Sequence, residues 1–484
     1  MTHLTSLNVS KNQHLLSLPT SLTQLQSLEK LDCSGCRSLR SPPHEVRQQG
    51  LEAILKYLRD LEKGKSKKFI PVTVIGQTMA GKTSLVKSLQ RNRRIITTRN
   101  TERSKLDEAT KVFKVCEATV DDDQKIIVFH DFGGQAIYHS AYQLSCRSQY
   151  VPLLVIDIAE YDRLVETDGR ESACKKVCFD WLSHLYLSCP QVGPPLVVFT
   201  HCDKLSDEMN LKRQKELLKT AEDLRQALVK GEKASSPVLQ MKSFSDINHP
   251  LLEINKPRCF SVKSTHIDIA ALKTLLSSIG LPLLTEIPGS WYDLMTLFAN
   301  ETKEAYLTLK MIDALFDDDK ERFILQYLHE IGRIAWYNKR EKLSHIVFHR
   351  IDLLVGLVEL IFDHTGEEAW NLRIETPPII GISRRKYKEM VDSFLSNGIM
   401  SSVLLTDVIR RESEFEPWVA IEVLKVFHLI CGPIKHDEDS QHYIIPHFSK
   451  KLIAVKEERK HIPMKFEICF NGLSIPGYMY YLLT

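Results

Sequence analysis

Phe69-Ile70-Pro71-Val72-Thr73-Val74-Ile75-Gly76-Gln77-Thr78-Met79-Ala80-Gly81-Lys82-Thr83-Ser84-Leu85-Val86-Lys87-Ser88-Leu89 is the stretch whose reading decides the fold. Its first seven residues form an apolar run suited to a buried strand. Gly76 to Thr83 fits G-x-x-x-x-G-K-[ST], and Ser84 to Leu89 reads as the first turns of a helix. The residue types follow from the chemistry of phosphate. Gly76 and Gly81 let the backbone curl so that successive N–H groups face phosphate oxygens, and the helix N-terminus adds its positive dipole end. Gly76, Gln77, Thr78, Met79, Ala80, Gly81, Lys82, Thr83 and Ser84 are therefore the expected cradle. Lys82 would reach the β- and γ-phosphates, and the Thr83 hydroxyl would ligate Mg²⁺.

The chain has 484 residues, 43% hydrophobic and 26% charged, with a formal net charge of +3. Those values suit a soluble protein of several domains and give no case for a nucleic-acid partner. Eleven cysteines without regular spacing, in a chain with no signal peptide, are expected as free thiols in a reducing cytoplasm. The most apolar run, Leu353 to Phe362, is interrupted by Glu359 and is too short for a transmembrane segment.

Laid against itself at a spacing of about 24 residues, the N-terminus repeats. Leu4, Leu7, Val9 and Asn12 fall opposite Leu28, Leu31, Cys33 and Cys36, which is L-x-x-L-x-L-x-x-N/C twice. This reading of Cys33 and Cys36 as small buried repeat residues displaces a metal or redox pair. Residues 1–62 are thus expected to be the end of a leucine-rich repeat array with a closing helix, and 63–68 an exposed basic linker. Residues 69–280 alternate strand and helix, which implies a mostly parallel sheet with helices on both faces. Within them, Lys111 to Thr119 and Ile126 to Phe129 are expected to form a hairpin, and about 205–252 reads as a surface insertion containing one amphipathic helix. Residues 281–435 are helix-rich. Residues 436–484, with Phe466, Ile468 and Phe470 alternating, read as the start of an α+β subdomain.

Three later stretches carry the discriminating chemistry. Asp131-Phe132-Gly133-Gly134-Gln135 follows a buried strand and fits D-x-x-G-Q. Asp131 would hold Mg²⁺ through water, the Gly134 N–H would meet the γ-phosphate, and Gln135 would orient the attacking water. Thr200-His201-Cys202-Asp203-Lys204 is similar to the guanine-reading N-K-x-D, and a carboxylate at Asp203 can accept from N1 and N2 of guanine, which adenine does not offer. Ser261-Val262-Lys263 stands where a small GTPase places a loop contacting the guanine oxygen. Thr110 is the candidate switch threonine on the metal, with Thr97, Thr98 and Thr101 as alternatives. Thr200 and His201 replace Asn-Lys, which removes one side chain that packs on the base. Gln135 and Lys82 are the catalytic candidates.

Together these motifs resemble the Roco family: leucine-rich repeats, a Ras-like Roc GTPase domain, then a COR domain. Ile287-Pro288-Gly289-Ser290-Trp291 resembles the start of COR, and Leu328-His329-Glu330-Ile331-Gly332-Arg333-Ile334 resembles its Leu-His-x-x-Gly helix. The residues show no protein-kinase motif set, which is similar to the kinase-less type of malignant fibrous histiocytoma-amplified sequence proteins. The resemblance implies a GTP-binding switch with Mg²⁺ that hydrolyses GTP slowly, with protein partners through the repeats and a homodimer through COR. Two other readings stand beside it: a nucleotide-binding scaffold without turnover, and a signalling ATPase using Asp157 as its Walker-type acid. Arg91, Arg93, Arg94 and Arg99 read as a solvated basic loop.

Overall fold

The computed structural model describes residues 3–64, 66–91, 113–120, 125–133, 150–182, 195–230, 259–261, 266–280, 284–294, 304–314, 322–361, 370, 373–374, 381–427, 429–437 and 440–445. Strands β1 (Ser6–Asn8) and β2 (Lys30–Asp32) pair in parallel, with Ser6 opposite Lys30 and Asn8 opposite Asp32. That offset equals the sequence period of about 24. Asn12 Nδ2 and Cys36 Sγ, one period apart, both donate to the Val9 carbonyl, at 2.9 and 3.0 Å. Cys36 is buried, whereas Cys33, expected to be buried with it, is only partly covered. Helices α1 (His44–Gln48) and α2 (Leu51–Lys63) follow, and α2 buries Ala53, Ile54, Tyr57, Leu58 and Asp60 along one face.

Next comes a seven-stranded sheet of β3 (Lys67–Ile75), β4 (Phe113–Val120), β5 (Lys125–Phe132), β6 (Val151–Asp157), β7 (Leu196–Thr200), β8 (Cys259–Ser261) and β9 (Thr285–Ile287). The order is β4-β5-β3-β6-β7-β8, with β9 beside the start of β3. β5, β3, β6, β7 and β8 are parallel, and β4 pairs antiparallel with β5. The helices are α3 (Lys82–Arg91), α4 (Ile158–Asp168), α5 (Arg170–Cys174, continuing as a π turn through Phe179), α6 (Asp207–Lys230) and α7 (His266–Gly280). Leu153 and Val155 pack with α3 and α7, whereas Leu154 and Ile156 pack with α4, α5 and α6. Burial on both faces explains why the strands are continuous apolar runs with no alternation.

Two elements differ from the sequence reading. The stretch after Leu205 is not a surface decoration: Leu217 and Ala221 of α6 are fully buried and pack with Cys174 of α5. The apolar stripe is visible in the sequence, but the element it covers lies about 40 residues upstream. Likewise Lys67 and Lys68 belong to β3 and not to a hinge, because Lys67 pairs with Ile287, Lys68 with Glu286 and Phe69 with Thr285.

This pairing joins all parts of the chain. Tyr57 OH and Tyr327 OH both donate to the Glu286 carbonyl at 3.1 Å, and Ser66 Oγ donates to Glu286 Oε1 at 2.5 Å. Trp291 Nε1 donates to the buried Asp60 carboxylate at 3.0 Å. Its ring meets Tyr57, Phe323 and Tyr327 edge-on at 5.5, 5.6 and 5.5 Å. Arg333 lies over the Phe69 ring at 4.6 Å and donates to Glu117 of β4 at 2.5 Å. One apolar cluster runs from Leu18 and Tyr57 through Phe69 and Val128 to Trp291 and Tyr327.

Residues 304–427 are mainly helical, with helices Ile351–Ile361, Arg384–Asn397, Ser402–Glu412 and Pro417–Val426 packed through Leu354, Phe394, Leu405 and Val419. They also hold a small antiparallel sheet of Leu307–Thr308, Ile346–Phe348 and Ala335–Trp336, whose strands are too short to leave an alternation in the sequence. Ile399–Ser401 pairs with Ser440–Ile444, itself paired with Cys431–Asp437, so one sheet spans residue 435. Phe466, Ile468 and Phe470 lie outside the described residues. Among the described residues, no helix is long and apolar enough to cross a membrane.

Candidate functional site

The C-terminal ends of β3, β5, β6 and β7 lie side by side, the place where open α/β sheets take ligands. At the end of β3 the backbone turns at Gly76 (φ 136°), Met79 (φ 66°) and Gly81 (φ 87°). A Cβ on Gly76 would collide with the Val155 carbonyl, so only glycine lets the loop pass β6. Leu85 N–H then donates to the Gly81 carbonyl at 2.9 Å, which starts α3.

Inside this loop, the Lys82 ammonium donates to the carbonyls of Gly76 at 2.8 Å and Gln77 at 2.7 Å. An ammonium has three N–H bonds, so one is left for a phosphate oxygen. Burial pushes the Lys82 pKa down to about 8, and the nearby Asp131 carboxylate opposes that fall. Thr83 Oγ1 donates to Asp131 Oδ2 at 2.6 Å, bringing the first helical turn against the end of β5. A hydroxyl and a buried carboxylate in contact are hard oxygen donors of the kind that hold Mg²⁺. Among the described residues no cluster of three or more His, Cys, Asp or Glu stands ready for a metal. Phosphate and water oxygens would therefore complete most of a Mg²⁺ shell here.

The end of β7 is fastened to the loop. Thr200 Oγ1 lies 2.7 Å from the Ala80 carbonyl and 3.2 Å from that of Ile156. His201 takes a left-handed backbone (φ 54°, ψ 28°), and its Nδ1 lies 2.8 Å from Asp157 Oδ2. Atoms of Thr200 and His201 stand 3.8 and 3.9 Å from where a Gly81 Cβ would be. Asn210 of α6 donates to the Cys202 carbonyl at 2.7 Å and the Leu205 carbonyl at 3.1 Å. Asp203 and Lys204 are exposed on the turn so formed.

The structure thus brings together Gly76 to Ser84, Asp131 and Thr200 to Lys204. Ser261 ends β8, paired with Phe199 of β7. Thr110, Gly134, Gln135, Val262 and Lys263 lie outside the described residues. Asp157 does not face Thr83; Asp131 does, which removes the geometric basis of the Walker-acid reading. Sequence reasoning missed Asn210 and the present place of Asp157. The signal for Asp157 was an aspartate directly before a helical run, the mark of an N-cap. No local pattern marks Asn210.

Residues 71–203 match the family described as Ras of Complex, Roc, domain of DAPkinase. The probable serine/threonine-protein kinase pats1 of Dictyostelium discoideum is 25% identical over 367 residues, 70% of this chain and 10% of that protein. The chain carries a Roc domain over residues 71–203. Its Roc domain contains the whole phosphate loop, Asp131 and the turn at Asp203. The chain spans about a tenth of the length of the Dictyostelium relative. Two solved structures are also similar. Methanosarcina barkeri Roco2 RocCORdC bound to GDP is 17% identical with a TM-score of 0.46, covering 80% of this chain and 98% of that one. The bacterial selenocysteine-specific elongation factor EF-Sec is 17% identical with a TM-score of 0.25, covering 44% and 28%.

Proposed function

We propose that this chain is a Roco-type GTP-binding signalling switch that hydrolyses GTP slowly to GDP and phosphate. The observation that carries the reading is the Thr83–Asp131 contact beneath a phosphate loop, with Asp203 carried on a turn fastened to that loop by Thr200. Lys82 would hold the β- and γ-phosphates, Thr83 and Asp131 would hold Mg²⁺, and the Asp203 carboxylate would read guanine N1 and N2. Mg²⁺ would supply charge neutralisation at the phosphates. Thr110 and Gly134 would sense the γ-phosphate, and Gln135 would orient water, roles drawn from sequence position alone. Without an external arginine such sites turn over at about 10⁻⁴ to 10⁻² per second.

Output would pass from the Roc domain to residues 1–62, as leucine-rich repeats with protein partners, and to residues 281–484, as COR with its dimer contacts, in a cytoplasmic setting. Nucleotide competition tests the guanine assignment. Asp203→Asn should shift preference from GTP towards xanthosine triphosphate, because an amide donates where xanthine accepts. Wild-type protein that binds ATP as well as GTP would refute it. A single-turnover assay tests hydrolysis: no GDP over hours, with Gln135→Leu unchanged, leaves a scaffold that binds without turnover.

A further inference from the structure

We propose that Asp157 is the positioning residue of the base-reading turn, clasping His201 and through it holding Asp203 in register with the phosphate loop. The inference rests on the guanine-nucleotide reading above.

The two oxygens of this carboxylate are divided between two tasks. Oδ1 accepts from the N–H groups of Ala159 and Glu160 at 3.0 and 3.1 Å, capping α4. Held in that orientation, Oδ2 meets His201 Nδ1 at 2.8 Å. Burial pushes the Asp157 carboxyl up, but the bond and charge of His201, the Glu160 N–H and the Lys204 charge together hold it below the usual value. The carboxylate is therefore ionised at neutral pH, and the imidazole edge 2.8 Å from it is held by a close polar contact with that charge.

Every residue around Asp203 is tied to something rigid. Thr200 is bonded to Ala80 and Ile156, the Cys202 carbonyl accepts from Asn210, and Lys204 N–H donates to the His201 carbonyl at 3.1 Å. Among the described residues only Lys11, Met79 and His201 combine a side chain with positive φ, and two of these three are in this site. Such a backbone persists where its surroundings over-determine it. The imidazole supplies that constraint: its Nδ1 edge is held by Asp157 while Cε1 stands against Gly81. A lysine at this position could swing on its flexible stem. A clasped ring fixes the turn as a rigid plate, which leaves the exposed Asp203 aimed by its neighbours.

Release of a fluorescent GDP analogue from the full chain tests the clasp. Asp157→Ser keeps the helix cap but is too short to reach His201. His201→Gly accepts the left-handed backbone without strain but lacks the donor, whereas His201→Asn tolerates that backbone and offers an amide N–H near the Nδ1 position. Asp157→Ser and His201→Gly should each speed release about fivefold, the factor for losing one close contact between a carboxylate and an imidazole. The double variant should be no faster than the worse single variant, and His201→Asn should stay near wild type. Unchanged release in Asp157→Ser, multiplicative single effects, or His201→Asn as fast as His201→Gly would overturn the clasp. Should Asp157→Ser misfold, the two His201 variants leave the cap intact and decide between the same outcomes. Wild-type protein that takes up no guanine nucleotide overturns the reading beneath, whereas uptake with unmoved variants overturns the clasp alone.

Discussion

Replacing Trp291 should loosen the N-terminal helices from the rest of the chain. The indole is 2% exposed and makes three edge-on aromatic contacts, with Tyr57, Phe323 and Tyr327. Such pairs contribute about 0.5–1.5 kcal/mol each, so the group as a whole accounts for a few kcal/mol. This agrees with the ~3–5 kcal/mol cost of truncating a buried tryptophan to alanine. Trp291→Phe separates packing from hydrogen bonding, because it keeps a ring but removes the Nε1 donor from Asp60. A hydrogen bond to a carboxylate contributes about 1.5–3 kcal/mol. Lys56, 3.7 Å from the same oxygen, offsets part of that loss, so the lower end is expected. Hydrogen exchange of α2 amides, with urea unfolding followed by circular dichroism, reads both effects. Trp291→Ala should raise exchange in α2 strongly and Trp291→Phe moderately. Adding Asp60→Asn to Trp291→Phe should recover stability, since a neutral amide is less costly to bury than a carboxylate. Unchanged α2 exchange in Trp291→Ala would refute the view that this ring joins the segments.

Gly76→Ala should destabilise the Roc domain by more than ~3 kcal/mol and abolish nucleotide retention, from the collision with Val155 and the φ of 136°; calorimetry and filter binding measure both. Thr200→Val should cost about 1–3 kcal/mol and speed GDP release, because the one hydroxyl proton, nearer the Ala80 carbonyl than that of Ile156, is lost while side-chain volume is kept. In the helical region, burial and then the Asp407 charge push the Tyr387 hydroxyl up to about 12. The folded chain holds this proton more tightly than the unfolded one, so stability is intact below about pH 10 and falls as pH rises towards 12. Tyr387→Phe should flatten that part of the stability profile measured by urea unfolding.

The phosphate loop was legible because strand, loop and helix lie in one run of 21 residues, and local chemistry dictates each residue type there. The N-terminal period was legible for a similar reason, since Asn12 and Cys36 satisfy the same carbonyl by the same bond. What escaped the sequence depends on distant partners. Lys67 and Lys68 look like linker residues until Glu286 arrives beside them from more than 200 residues away. Leu217 and Ala221 form an apolar stripe whose covering element, α5, cannot be read from spacing. Asp157 reads in the sequence only as a candidate metal acid, and its role as a helix cap emerges once Asp131 is placed against Thr83.

The pairing of β9 with β3 has a mechanical consequence. The chain enters the seven-stranded sheet at Lys67 and leaves it at Ile287, and these two residues face each other across a three-pair antiparallel ladder. A pull between the flanking segments would open that ladder like a zip, one bond at a time, and the load would bypass the phosphate loop at the far end of β3. The sheet and its helices thus hang on the rest of the chain as a closed loop whose two attachment points stand side by side.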